Sequence, residues 1–248
     1  MMKRRNKHLM KKYIGSAAAV VGAAAVIGTG FVYSNLNETV NAMYAPLSQK
    51  SADRDSLSTL ISDKKAINIM LVGVNPSDSK ADVALLAVSP EKGTATSVNV
   101  PTKVTEASYA AGGVNAVAKK INAKYGVPVD AYMSININKL PVSIDRVGGI
   151  EVNGTHMNGT AATEYVKDAP ESVRQAREQA VLRGLLKKTI SPATVVNKSF
   201  LDSLGSEMQT NFTMSDMTSF ATGYHKAVNN IKTVETVDIA SVVNSVLK

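Results

Sequence analysis

Three stretches of different apolar patterning divide the chain. Residues 14–33, from Ile14 to Tyr33, carry no charge and are mostly apolar or small. A helix of about 20 residues matches the hydrocarbon thickness of a bilayer. Lys3, Arg4, Arg5, Lys7, Lys11 and Lys12 precede this run. Basic flanks stay in the cytoplasm, so everything after Ser34 is expected outside the cell. The length favours a signal anchor over a cleaved signal peptide, whose apolar core is shorter. The small residues of Asn41-Ala42-Met43-Tyr44-Ala45 leave cleavage open as the second reading. Residues 34–65 are polar, with some helical spacing but no strong core face, and read as an extracellular stalk.

From Ala66 the pattern becomes that of a folded domain over 66–248. Ile67, Ile69, Leu71 and Val72 lead into Gly73-Val74-Asn75, a buried strand ending in a turn. Val83–Val88 and Thr94–Val100 read as further strands, separated by the turn Pro90-Glu91-Lys92-Gly93, which suggests an antiparallel start to a sheet. Val114, Val117, Ala118, Ile121 and Tyr125 mark one face of a helix stopped by Gly126 and Pro128. Ala131–Ile137 predicts a strand, Leu140, Ile144 and Val147 a short helix, and Ile150–Val152 another strand. Helices are predicted over about 159–166 and 173–190. Ser191-Pro192 opens a further helix that ends before Gly205. Ser215 is expected to cap the next, with Met217, Phe220, Ala221 and Tyr224 inward. Thr233–Ile239 reads as a last strand. This alternation predicts an α/β fold, a central mixed sheet covered by helices, preceded by one transmembrane helix.

The composition narrows the chemistry. There are 28 basic and 20 acidic residues, a net charge of +8. The basic tail before Tyr13 holds most of that excess, so the high pI reflects membrane topology and is weak evidence for nucleic acid. No aromatic-interleaved basic stripe points to nucleic acid either. Without cysteine, disulfides, thiolate nucleophiles and Cys-based metal sites are excluded. His8, His156 and His225 lack metal-ligand spacing with one another, which argues against zinc.

A series of short motifs then follows a known order. Asn68-Ile-Met-Leu-Val-Gly-Val-Asn75 resembles an opening strand usually ending Gly-Val-Asp, and Lys80-Ala81-Asp82 an Arg-Ser-Asp. Ser97-Val-Asn-Val-Pro-Thr-Lys103 stands where a Ser-Ile-Pro-Arg-Asp type motif occurs. Ser108-Tyr-Ala-Ala-Gly-Gly113, Gly126-Val-Pro-Val-Asp-Ala-Tyr132 and Gly154-Thr-His-Met-Asn-Gly159 follow. Ala162-Thr-Glu-Tyr-Val-Lys167 and Arg174-Gln-Ala-Arg-Glu-Gln179 complete the series. Together, over about residues 66–222 and behind a basic-flanked anchor, they resemble the LytR-CpsA-Psr proteins. The stretch after Val152 is shorter than is usual there.

The resemblance implies an α/β/α sandwich with a deep apolar groove for a polyprenyl tail. It also implies transfer of a glycopolymer from a polyprenyl pyrophosphate carrier to peptidoglycan at the Gram-positive cell membrane, by a single-pass protein whose C-terminal domain is extracellular. Splitting a phosphoanhydride needs its negative charge neutralised by cations and a divalent ion, Mg²⁺ or Mn²⁺. By position, the resemblance implies Asp82 and Asn75 as metal ligands, although an amide at Asn75 brings no charge. It implies Arg174, Lys167 and Arg177 as catalytic cations, with Lys103, Arg174 and Lys167 contacting substrate. Arg174 stands near the start of the predicted helix 173–190, where anions are favoured. A surface pair between Arg174 and Glu178 is the plainer alternative. Lys167 keeps a charge but not the bidentate fork of arginine. Thr102, Ala169 and Glu178 replace an arginine, a second arginine and a glutamine. Two readings therefore stand: a membrane-anchored phosphotransferase, or a catalytically impaired relative that binds polyprenyl phosphate lipids or modulates an active paralogue. A transcriptional regulator is disfavoured by the exported topology.

Overall fold

A computed structural model describes residues 30–48, 54–75, 80–170, 173, 177, 181, 205, 208–228, 230–234 and 236–248. Its centre is a six-stranded mixed sheet in the order β7-β4-β1-β2-β3-β8. The strands are β1 (Ile67–Asn75), β2 (Lys80–Ser89), β3 (Thr94–Val100), β4 (Ala131–Asn136), β7 (Met208–Thr210) and β8 (Ile231–Val234). β1, β2 and β3 pair antiparallel in succession, as the two turn signals suggested. β4 lies parallel to β1, and β8 parallel to β3. β1, β3, β4 and β8 therefore all point toward one end of the sheet.

Helices flank both faces. Ile67, Ile69 and Leu71 pack with α1 (Gly30–Met43), α2 (Leu57–Ser62) and α6 (Met214–Val228). Met70 and Val72, the alternate positions, pack with α3 (Thr102–Tyr125) and α7 (Ile239–Leu247). Burial on both faces explains why β1 and β2 read as nearly continuous apolar runs. A smaller cluster joins Ile144, Val147, Ile150, Val152, Ala162, Val166 and Val181. It is built by α4 (Leu140–Arg146), the hairpin β5 (Ile150–Val152) and β6 (Thr155–Met157), and α5 (Gly159–Lys167).

Several expectations are corrected. Residues 34–65 are not merely a stalk over their described part, because Val40, Met43, Leu60 and Ile61 are buried in the main core. Among the described side chains each helix there has two fully buried apolar positions, too few to register as an apolar stripe. The helix expected around Val114–Tyr125 begins at Thr102 and is broken at Gly112 and Gly113. Gly113, at φ 60° and ψ −149°, occupies a region open essentially to glycine alone. Thr213, not Ser215, caps α6: its backbone N–H donates to Asp216 Oδ2 at 3.0 Å, and the Asp216 N–H donates to Thr213 Oγ1 at 3.1 Å. That reciprocal exchange is a capping box with aspartate in the glutamate position. The last strand stops at Val234, and Ile239–Leu247 is helical. Asp238 caps that helix by accepting from the Ser241 N–H, and Ile239, Val243 and Val246 are buried at helical spacing.

Of the helix expected over 173–190, Val173, Arg177 and Val181 are described, each helical. Arg174, Glu178, the helix after Ser191-Pro192 and residues 14–29 of the apolar run lie outside the described residues. Among the described residues no helix is long and apolar enough to cross a membrane.

Candidate active site

Three chain segments carrying candidate residues meet at the end of the sheet to which β1, β3 and β4 point. Asn75 closes β1 and pairs with Lys80, while Asp82 pairs with Gly73. Asn75 and Asp82 are thus diagonal neighbours on adjacent strands, a relation that puts positions roughly 7–8 Å apart. β3 ends at Val100 opposite Val83, and α3 begins two residues later. Thr105 Oγ1, in the first turns of α3, donates to the Ala81 carbonyl at 3.3 Å, fixing the helix start beside the strand that carries Asp82.

The start of α3 is electropositive for two reasons. Pro101 stands at its N-cap without a side-chain cap bond, and no acidic residue lies in the first turn. Lys103 is exposed there. A lysine in a first turn runs against the helix dipole, and a bound anion reverses that penalty. Further along α3, burial raises the Tyr109 phenol above its usual value of 10.0, so it stays a neutral hydroxyl at physiological pH. The carboxyl ends of strands in α/β sheets are where ligands ordinarily bind.

The α4–α5 unit hangs from the same end. β4 runs into a 3₁₀ turn (Ile137–Lys139) and then α4. Asp145 Oδ1 on α4 accepts the Gly159 N–H at 2.7 Å. A Cβ at Gly159 would collide with the Pro141 carbonyl oxygen, so only glycine permits this crossing. Asn158 caps α5 by accepting the Ala161 N–H at 2.8 Å. The Asn-Gly pair of the motif ending at Gly159 is therefore a helix start plus a close approach. Lys167 is exposed in the last turn of α5, and Ala169 beyond it is 3% exposed.

Arg177 is tied to α5. Its Nη1 donates to the Tyr165 carbonyl at 2.9 Å, and the guanidinium stands 4.6 Å from the centre of the Tyr165 ring. Tyr165 stands in its motif with no local sequence signal that ties it to Arg177, 12 positions away. The structure thus gathers Asn75, Asp82 and the Lys103 turn at one sheet end, and Lys167 and Arg177 around α5. Among the described residues no group of three or more His, Asp or Glu could hold a metal ion. Asp82 and Asn75 bring one carboxylate and one amide to this sheet end, so a hard cation there would need waters and phosphate oxygens as its other ligands.

Asp130, in another of the motifs, lies at the opposite end of the sheet. It forms an ion pair with Arg54 at 2.7 Å and accepts the Asn68 N–H at 2.8 Å. Its place there is structural.

Comparison with known proteins adds to this geometry. The LytR_cpsA_psr family matches residues 30–156 and 153–247. A curated relative from Oceanobacillus iheyensis, the polyisoprenyl-teichoic acid–peptidoglycan teichoic acid transferase TagU, is 24% identical over 84% of this chain and 79% of its own. The crystal structure of the Lin1025 protein from Listeria innocua superposes with a TM-score of 0.53 at 29% identity, covering 69% of this chain and 83% of that one. Bacillus subtilis TagU gives a TM-score of 0.50 at 21% identity, over 74% of this chain and 94% of that one, and shows the shared fold.

Proposed function

This chain belongs to the LytR_cpsA_psr family, and on that footing we propose that it is a membrane-anchored phosphotransferase. It moves a glycopolymer from a polyprenyl pyrophosphate carrier to peptidoglycan at the outer face of the cell membrane. The name of the relatives, teichoic acid transferases between a polyisoprenyl carrier and peptidoglycan, supports this substrate class. The observation that carries the reading is the meeting of Asn75, Asp82 and the Lys103-bearing start of α3 at one sheet end.

In this reading a peptidoglycan hydroxyl attacks the phosphorus that bears the glycan. Its bond to the bridging oxygen breaks, and polyprenyl phosphate leaves with that oxygen. The nucleophile's proton passes to solvent or to the leaving phosphate. Lys103 and the α3 amides hold one phosphate, and Arg174 and Lys167 neutralise the charge that develops on the equatorial oxygens. Asp82 and Asn75 would hold a Mg²⁺ or Mn²⁺ ion, which supplies further neutralisation of the pyrophosphate.

The test uses purified protein lacking the apolar run, a short-chain polyprenyl pyrophosphate glycan, and Mg²⁺. Metal-dependent cleavage that disappears in Arg174→Ala supports the enzyme. Three observations favour the second reading, a relative that binds the lipid carrier with little turnover. Asn75 is neutral, Ala169 is buried where the family has a cation, and Arg177 is engaged with Tyr165. Tight binding of the carrier without cleavage supports that reading instead.

A further inference from the structure

The anchor proposed above leaves open which way the domain faces; the chain direction between α1 and β7 supplies it. Tyr44 forms a parallel bridge with Thr210, and the Ala45 N–H donates to the Thr210 carbonyl at 2.8 Å. β7 runs antiparallel to β4, so the chain at Tyr44 travels away from the carboxyl end of β4. Gly205, which precedes β7 and so lies toward the carboxyl end of β4, stands against Ala42 and Thr39. Earlier residues of α1 therefore lie nearer the candidate active site, and later ones farther from it.

α1 is also fused to the domain. Thr39, Val40 and Met43 are buried, and Tyr132 Oη donates to the Ala45 carbonyl at 2.9 Å. The helix begins at Gly30, within the apolar run. Counting levels along the strands, Tyr44 matches Met133 through Thr210, and Met133 matches Leu71. Asn75 then stands about 13 Å toward the carboxyl end, at about 3.3 Å per strand residue. Ser34, the first residue after the apolar run, lies ten residues before Tyr44 toward that same end, a helical length of about 15 Å.

We infer that the carboxyl end of the sheet faces the outer leaflet directly, with Asn75, Asp82 and Lys103 held at lipid headgroup level by α1 acting as a rigid post. This rests on the reading of residues 14–33 as a membrane anchor. The partner surface is the phospholipid headgroup layer. The exposed Lys103 and Lys139 and the partly exposed apolar side chain of Val142 on α4 are placed to meet it. A phosphate group carried by a membrane lipid then reaches the site without leaving the interface. The Pro90–Gly93 turn, at the other end of β2, points to the wall.

The absence of native cysteine makes the test direct. Full-length protein carrying Lys139→Cys or Glu91→Cys is labelled with an environment-sensitive fluorophore and reconstituted in vesicles containing headgroup-quencher lipids. The label at position 139 is expected to lose most of its emission, and the label at 91 to keep it. A flexible ten-residue linker inserted after Ser34 is expected to abolish the difference. Protein that fails to float with the vesicles overturns the anchor itself. Protein that floats but shows equal quenching at both positions, or stronger quenching at 91, overturns the orientation alone.

Discussion

Arg54 grips Asp130 with two bonds, Nε to Oδ1 at 2.7 Å and Nη2 to Oδ2 at 2.9 Å, across 76 positions of sequence. The same Nη2 donates to the Ala66 carbonyl, so one guanidinium joins the segment before α2, the entry to β1 and the entry to β4. The Asp130 side chain is 3% exposed. Breaking a buried pair leaves an uncompensated charge, and Arg54→Ala is expected to cost about 3–5 kcal/mol in urea unfolding. Burial raises the Asp130 pKa above its ordinary 3.8 despite Arg54, which lowers it. A raised acid contributes stability below its unfolded pKa and loses it as pH rises through the folded value. Removing Arg54 raises that value further. The cost of Arg54→Ala is therefore expected to be smallest near pH 4 and to grow toward neutrality. A pH-independent cost would contradict the ion pair as its source.

Alkaline unfolding is expected to follow two phenols. Burial pushes Tyr132 up to about 12 and Tyr224 higher still, with the Asp130 charge adding to the effect at Tyr224. Their stabilisation is intact below pH 10 and disappears as pH climbs through those folded values. Loss of helical ellipticity should track ionisation at 295 nm from about pH 10 upward. Tyr132→Phe is expected to cost about 1 kcal/mol at neutral pH through the lost bond to Ala45, and to flatten the alkaline slope.

Gly159→Ala tests the α4–α5 crossing. The added methyl meets the Pro141 backbone and cannot be relieved by a side-chain rotation. A loss of about 3 kcal/mol is expected, read by thermal unfolding. Gly154→Ala, which meets nothing within 4 Å but sits at φ 80°, is expected to cost only about 1–2 kcal/mol. Equal effects would show that the crossing is looser than described.

Much of this fold was legible because β1, β2 and β3 are long, buried and separated by turn chemistry. The C-terminal helix was not, because the β-branched run around Val234–Ile239 hides the Asp238 cap that starts it. β7 is three residues long and offers no period to detect. The Gly112-Gly113 break masked the first half of α3, since a helix pattern is normally ended by such a pair. At the candidate site, motif order placed Asn75, Asp82 and Lys103 on elements that do converge. The Tyr165–Arg177 contact depends on tertiary placement of α5 and was beyond any local pattern.

Asn75→Asp restores a carboxylate diagonal to Asp82. A second charge at that position is expected to tighten binding of a hard divalent cation and to raise metal-dependent turnover. Isothermal titration with Mn²⁺ checks the first effect and glycan release the second. Weaker metal binding in the variant would exclude Asn75 from the ion's surroundings.

The most direct test compares wild type with Asp82→Asn for Mg²⁺-dependent release of polyprenyl phosphate from a short-chain polyprenyl pyrophosphate glycan, with unfolding midpoints measured alongside. Loss of release with an unchanged midpoint is predicted, by a factor of about 100 or more if Asp82 anchors the charge-neutralising ion. Equal rates in the two proteins would contradict the assignment of this sheet end as the active site.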